Sequence, residues 1–205
     1  MVQEKKQHDE QRQQALAQQV ELLNSQLETA KEEVHIDGLT KVHNRRAFDR
    51  YIEDEFQRSH ITGQAFGLML FDIDDFKRIN DTHGHQIGDR LLSAVSQEAK
   101  NCLRTDDFVA RYGGDEFAIV LRGNSLSDAS NVLERFRKSV SRGFRYKKDE
   151  GADQVIETTI SGGIAWFRES DTAESLIERA DQTLYLAKQR GRNKVCTEED
   201  LESSE

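Results

Sequence analysis

Arg111-Tyr112-Gly113-Gly114-Asp115-Glu116-Phe117 lies between two short apolar runs, residues 108–112 and 117–121. Adjacent glycines suit a tight turn whose two central positions need φ > 0. The stretch therefore reads as a β-hairpin whose tip holds Asp115 and Glu116 side by side in solvent. Carboxylates on a rigid turn suggest a divalent cation. Taken alone, the turn reads by default as an ordinary hairpin with polar residues at its exposed end.

A second acidic cluster changes that balance. Phe66-Gly67-Leu68-Met69-Leu70-Phe71 is continuously apolar and short, as a buried strand is, and it runs straight into Asp72-Ile73-Asp74-Asp75-Phe76-Lys77. Mg²⁺ takes hard oxygen ligands, usually one or two carboxylates with substrate phosphates completing the shell. Two acidic clusters that each end a β element converge if their strands are neighbours in one sheet. Asp74 and Asp75 also suit helix caps, and at least one is expected to act as one.

Composition narrows the class. The chain has 205 residues and a net charge of −9, which disfavours a general nucleic-acid binder. Such a chain also accepts a polyanionic nucleotide poorly unless a metal intervenes. Cys102 and Cys196 are the only cysteines, without histidines at zinc-ligand spacing, so reduced thiols and a cytoplasmic setting are expected. No apolar run reaches membrane-spanning length, no signal peptide is visible, and there is no proline to mark a Pro-rich linker.

Leu16, Val20, Leu23, Leu27, Ala30 and Val34 alternate steps of four and three. Val20, Leu27 and Val34 take a positions, and the others take d, which favours a parallel two-stranded coiled coil. The alternative is one amphipathic helix packed on its own domain. Beyond Gly38, helices are expected over 44–59, 88–103, 126–140 and 173–189, each with an apolar stripe. Strands are expected over 65–73, 108–112, 117–121 and within 155–167, the last as one long strand or two short ones broken at Gly162-Gly163. Residues 145–154 are charged and read as a loop. This order predicts an α+β fold with an antiparallel-rich sheet rather than a βαβ series.

Several blocks in order resemble the GGDEF domain, the catalytic domain of bacterial diguanylate cyclases. Gly113-Gly114-Asp115-Glu116-Phe117 is its signature. Asp37-Gly38-Leu39-Thr40 with Asn44-Arg45-Arg46 resembles its opening motif, and Asp72 to Asp81 with Gly84-His85-Gln86-Ile87-Gly88-Asp89 its metal and guanine block. Ala180 to Lys188 with Gly191-Arg192-Asn193 resembles its closing helix. The resemblance spans about residues 37–195. It implies a ferredoxin-like palm of the nucleotidyl cyclase type, with about five central strands, preceded by the N-terminal coiled-coil helix. The domain layout is then 1–36 as dimeriser, 37–196 as catalytic domain, and 197–205 as a disordered acidic tail.

The resemblance also implies the chemistry: two GTP condense into cyclic di-GMP and two pyrophosphates. Asp72 and Asp115 are the expected ligands of two Mg²⁺ (or Mn²⁺) ions, with Glu116 and the Ile73 carbonyl completing the set. Asp115 or Glu116 also accepts the proton of the attacking 3′-hydroxyl, and the sequence does not separate these roles. Asp89 matches the guanine N1–H and N2–H₂ donors and Asn80 another polar edge, although both also suit helix caps. Phe76 and Lys77 stand where a helix N-terminus meets phosphate. Lys188 and Arg192 are further phosphate contacts, or simply cations favourably placed at a helix end. Asp37, Asn44 and Arg45 are expected to organise the opening turn, and His83 and His85 to be structural.

One site holds one GTP, so the product requires two subunits facing each other, a homodimer tethered by the coil. Arg104-Thr105-Asp106-Asp107 carries R-x-x-D at the family's offset for product inhibition, with Arg135 as a second contact. Elsewhere this pattern is usually a surface pair of little energetic weight. The rival readings are a catalytically silent cyclic di-GMP receptor and another nucleotidyl transferase on the same palm. Intact signature carboxylates argue against the first.

Overall fold

The computed structural model describes residues 18–20, 35–123, 125–147 and 153–202. After a two-residue strand β1 (His43–Asn44), the Asn44 side chain accepts a hydrogen bond from the Ala47 amide and caps α1 (Arg45–Thr62). Gly63, at φ 69°, ends that helix with a left-handed cap. Strand β2 (Phe66–Ile73) leads into a short helix α2 (Phe76–His83) and then α3 (His85–Cys102). The hairpin arms are β3 (Phe108–Arg111) and β4 (Glu116–Arg122). Ser125 caps α4 (Leu126–Val140). Strands β5 (Phe144–Lys147), β6 (Asp153–Ile156) and β7 (Ile160–Trp166) follow. Thr172 and Ser175 cap α5 (Ala173–Gln189) reciprocally, before β8 (Val195–Thr197) and α6 (Glu198–Glu202).

The main sheet has the order β1-β3-β4-β2-β7-β8. Its inner pairings are antiparallel, while the outer pairs β1/β3 and β7/β8 are parallel. Helices cover both faces, so β2 is buried almost throughout. Leu68, Leu70, Ala118 and Val120 pack against Phe48, Ile52 and Phe56 of α1 and Leu176, Ala180 and Leu184 of α5. Met69, Phe71, Ile73, Phe117 and Ile119 pack against Leu91, Leu92 and Val95 of α3 and Leu133 and Phe136 of α4. Phe71 and Phe117 are opposed in register and stacked at 5.1 Å, with Phe136 edge-on to Phe71. Each such side chain contributes roughly 1.5–3 kcal/mol by burial. Met1–Ile36 and Asp37–Glu205 are separate units. Of the proposed coiled-coil seam, only Val20 is described, and it is half exposed; Leu16, Leu23, Leu27, Ala30 and Val34 lie outside the described residues. No helix among the described residues is long and apolar enough to cross a membrane.

Four expectations need correction. Neither Gly113 nor Gly114 is left-handed; a four-residue loop, residues 112–115, replaces the two-residue turn. The charged stretch at 145–154 is not all loop. Phe144 and Tyr146 alternate with Arg145, Tyr146 is buried, and its hydroxyl donates to Gln154 Oε1 at 2.6 Å, pairing β5 with β6. Strand β7 runs unbroken through Gly162-Gly163, where small size rather than turning is needed. A Cβ at Gly162 would lie 1.9 Å from Met69 Cε, and one at Gly163 would lie 2.1 Å from the Leu184 amide nitrogen and 2.3 Å from the Ala180 carbonyl oxygen. Finally, the tail expected to be disordered from 197 is ordered through residue 202. Thr197 closes β8, Asp200 accepts from the Thr197 amide at 2.8 Å, and Glu198 pairs with Arg179 at 2.8 Å.

The two glycines make a paired test. Gly163→Ala presses on helix backbone that cannot swing aside and should cost about 3 kcal/mol, whereas Gly162→Ala meets the flexible end of a methionine and should cost about 1 kcal/mol. Urea unfolding of both variants checks the order; equal losses would show that α5 does not lock against β7 here.

Candidate active site

In the β2–β4 ladder Asp72 is the register partner of Glu116, and across β2–β7 it is the partner of Ser161. Directly opposed residues on neighbouring strands project on the same face. The Ile73 amide donates to the Asp115 carbonyl oxygen at 3.4 Å, so the backbone of the acidic turn touches the end of β2. The last turn of α5 brings Lys188 Nζ to 2.6 Å from Asp72 Oδ2. Burial pushes the Asp72 carboxyl above its ordinary value; Lys188 opposes this, and the charges of Asp115 and Glu116 add to it. Three carboxylates thus share one corner with one ammonium.

That donor set fits a hard divalent cation. Among the described residues no three His, Cys, Asp or Glu side chains come together as a group that could hold a metal ion by themselves. An open, carboxylate-poor shell is what a Mg²⁺ ion completed by phosphate oxygens and water requires.

The turn itself is held from behind. Arg111 donates to the Gly114 carbonyl oxygen through Nε at 3.0 Å and Nη2 at 2.7 Å, and pairs with Asp37 at 3.3 Å. Asp37 also accepts from the amide and hydroxyl of Thr40, at 2.8 and 2.6 Å. A Cβ on Gly113 would sit 2.7 Å from Glu116 Oε2, so this glycine makes room for a carboxylate. Arg45 lies over the Tyr112 ring at 4.4 Å. Asp37, Asn44 and Arg45 therefore shape the opening turn. Arg111 is absent from the sequence-based site set. Its signal was its position, a cation directly preceding a loop that must hold two carboxylates in place.

Helix α2 starts at the end of β2, and its N-terminus carries no side-chain cap. The cap expected of Asp74 or Asp75 is not made: Asp75 is left-handed (φ 54°) without capping, and the Asp74 carboxylate is engaged elsewhere. The first amides of α2, around Phe76 and Lys77, thus lack the side-chain acceptor that would compete with an anion. Asn80 lies inside α2 and Asp89 inside α3, so neither is a cap. Asn80 Oδ1 is buried without a hydrogen-bond partner and lies where a Cβ on Gly88 would fall, 1.8 Å away. Asp89 is exposed and lines a cleft of about 360 Å³ with Leu39, Arg90, Ser93 and residues 144–146. His83 Nδ1 lies 3.4 Å from the Tyr146 hydroxyl, a structural contact. At the other end of the site, exposed Arg192 has Nε 3.7 Å from Asp75 Oδ1.

Arg104 and Asp107 lie apart from these groups. They line a cavity of about 770 Å³ with residues 63–65 and 121–123, at the opposite end of the β2–β4 ladder, ~20 Å from Asp72 at 3.4 Å per residue. Asp107 accepts from the Arg104 amide at 2.9 Å and the Arg122 amide at 3.3 Å. Arg58, Arg122 and Trp166 share the cavity and were not singled out from sequence. Arg135 is not among its lining residues; its Nη2 donates to the Cys102 carbonyl oxygen at 2.8 Å.

Residues 34–194 match the family described as "Diguanylate cyclase, GGDEF domain". The chain is 41% identical over 168 residues to the diguanylate cyclase DosC of Escherichia coli, covering 82% of this chain and 36% of that protein. It is 37% identical over 182 residues to the diguanylate cyclase DgcP of Pseudomonas aeruginosa, covering 88% of this chain and 26% of that protein. The chain thus spans about a quarter to a third of the length of these relatives. The coiled coil and GGDEF domain of DgcB from Caulobacter crescentus, solved in complex with c-di-GMP, superposes with a TM-score of 0.85 at 34% identity, covering 92% of this chain and 98% of that one. On these grounds the chain belongs to the GGDEF domain family of diguanylate cyclases.

Proposed function

We propose that this chain is a catalytic domain that condenses two GTP into cyclic di-GMP and two pyrophosphates. The observation that carries the reading is the opposition of Asp72 and Glu116 on adjacent strands, with Asp115 against the Ile73 amide. An unaltered Gly113-Gly114-Asp115-Glu116-Phe117 motif favours this reading over a silent receptor. The naming of DosC and DgcP as diguanylate cyclases supports the same reading.

Asp72, Asp115, Glu116 and the Ile73 carbonyl are the groups that would hold two Mg²⁺ or Mn²⁺ ions. When bound, such ions lower the pKa of an attacking hydroxyl and screen the phosphate charge. Asp115 or Glu116 accepts the 3′-hydroxyl proton. The free amides at Phe76 and Lys77, with Lys188 and Arg192, hold the triphosphate. Lys188 exchanges its present partner Asp72 for phosphate oxygen. Asp89 accepts from guanine N1–H and N2–H₂, and Asn80 supplies a second polar contact that excludes adenine. GTP is available in the cytoplasm, which suits the reduced cysteines.

Each domain supplies one GTP, so two chains face each other across a two-fold axis, tethered through residues 1–36. The coil in the DgcB structure, which covers nearly the whole of this chain, supports that arrangement. The cavity at Arg104 and Asp107 is the product-inhibition site, its guanidinium gripping phosphate or guanine and its carboxylate accepting guanine donors. Arg135 is the outer contact.

Incubation with GTP and Mg²⁺ followed by mass identification should yield cyclic di-GMP, with ATP turned over far more slowly. Asp115→Ala with Glu116→Ala should abolish turnover while the circular dichroism spectrum is unchanged; near-native activity would reject the assignment. Removal of residues 1–36 should leave GTP binding intact and make specific activity rise steeply with protein concentration, because tethering supplies an effective concentration of the order of millimolar. Constant specific activity at nanomolar protein would show that the segment is not the dimeriser. Arg104→Ala should raise the product concentration needed for half-inhibition at least tenfold, the loss expected of one charge-assisted contact, with an unchanged initial rate. An unaltered inhibition curve would move the brake elsewhere.

A further inference from the structure

Asp74 is 7% exposed, and its carboxylate faces three donors. Oδ1 accepts from the Ser161 hydroxyl at 2.7 Å; Oδ2 accepts from the Thr159 hydroxyl at 2.6 Å and from the Asn193 amide at 3.0 Å. Its own amide donates to the Thr159 carbonyl oxygen at 2.9 Å. The carboxylate therefore ties the end of β2 to the segment before β7 and to the turn that follows α5.

That turn is strained. Among the described residues four non-glycine residues have left-handed backbone, and three meet here: Asp75 (φ 54°), Arg192 (φ 60°) and Asn193 (φ 48°). Such conformations cost of order 1–3 kcal/mol each, persist only where surrounding contacts over-determine them, and cluster at functional sites. The contacts are specific. The Arg192 amide donates to the Ala187 carbonyl oxygen at 3.1 Å, and the Asn193 amide reaches Asp74. The result points the Arg192 side chain back toward Asp75, at the start of α2.

We infer that Asp74 is a positioning residue for triphosphate binding: through the Asn193 amide it holds Arg192 in the left-handed conformation that aims its guanidinium at the uncapped start of α2. This rests on the reading of Arg192 as a phosphate contact. Asp74 differs in role from Asp72, two residues earlier. Both Asp74 oxygens are taken up by internal donors in a buried setting, whereas the half-buried Asp72 carboxylate pairs with the Lys188 ammonium.

The test is a double-mutant cycle read by calorimetric binding of a non-hydrolysable GTP analogue and of GMP, on the full chain. Arg192→Ala should weaken the analogue about tenfold and GMP little, since one charge-assisted contact to the distal phosphates is lost. Asp74→Asn should weaken the analogue by a similar factor with the same sparing of GMP. The double variant should bind no more weakly than Arg192→Ala alone. Native affinity in Asp74→Asn overturns the inference, as does a multiplied loss in the double variant or an equal loss for GMP. Unchanged affinity in Arg192→Ala strikes instead the phosphate reading beneath it. If Asp74→Asn does not fold by circular dichroism, Thr159→Val, which removes one anchor and keeps the charge, takes its place in the cycle under the same criteria with a smaller loss, about threefold.

Discussion

The pairing register of β2 with β4 is the constraint on which the site depends. A slip of one residue would turn Asp72 away from Glu116 and carry the acidic turn past the end of β2. Because β2 is buried on both faces, apolar content alone cannot hold that register. Side-chain size does. Toward α3 and α4 the sheet presents Phe71, Phe117, Ile119 and Ile164, with Phe136 closing on the stacked pair. Toward α1 and α5 it presents Leu68, Leu70 and Val120 interleaved with the small Ala110, Ala118, Ala165 and Gly163. A slipped strand would press Phe117 into the space that admits only a methyl group beside α5, and interiors packed to crystal density do not accept that exchange. The close approach of α5 that Gly163 permits is also what brings Lys188 to Asp72.

Around this ladder, three successive acidic positions do three different things. Asp72 emerges where β2 still pairs on both sides, so it faces the carboxylates of the neighbouring strand. Asp74 turns inward and satisfies two hydroxyls and an amide. Asp75 adopts the left-handed conformation that starts α2 and leaves the first helical amides open. The same principle operates at the signature turn. Arg111 binds the Gly114 carbonyl oxygen and Asp37, so the loop carrying Asp115 is braced on the opening turn as well as by its own backbone, where the Tyr112 and Gly113 amides donate to the Glu116 carbonyl oxygen. Preorganisation of this kind places charge without requiring it to be ordered when substrate arrives.

Periodicity and turn chemistry made most of the helices and the central strands legible: the stripe over 126–140 and that over 173–189 coincide with α4 and α5. The failures have physical causes. Gly113, Gly114, Gly162 and Gly163 all look like conformational glycines in the sequence, yet none has a left-handed φ, and Gly113, Gly162 and Gly163 serve a steric role that only the folded contacts define. Strand β5 was hidden because Arg145 and Lys147 equal Phe144 and Tyr146 in number at the edge of a charged stretch, and Tyr146 finds its partners in His83 of α2 and Gln154 of β6. Asp74 looked like a cap because its partners, Thr159, Ser161 and Asn193, are 85 to 119 residues away. Metal-site candidates could be placed on strand ends from sequence, but their mutual approach is a property of sheet order, which residue pattern does not contain.

Electrostatics separates scaffold from site. Burial raises the Asp37 carboxyl, but the Thr40 hydrogen bonds and the Arg111 charge outweigh it, leaving its pKa below the ordinary 3.8. A depressed folded value means that Asp37 contributes stability above pH 3.8 that is lost as the pH falls through the lower value. Asp72 is the reverse. Its folded value is raised by burial, so its contribution is greatest below pH 3.8 and is lost as the pH rises through the raised value. At neutral pH the braced carboxylate therefore supports the fold, and the one at the end of β2 works against it. Lys188 relieves only part of that opposition, and Asp115 and Glu116 increase it. A half-buried carboxylate held among like charges has no structural justification when an apolar strand could end there without it. The tension is accounted for if the corner is shaped for positive charge that arrives with the substrate, stability being given up locally where function needs an unsatisfied group.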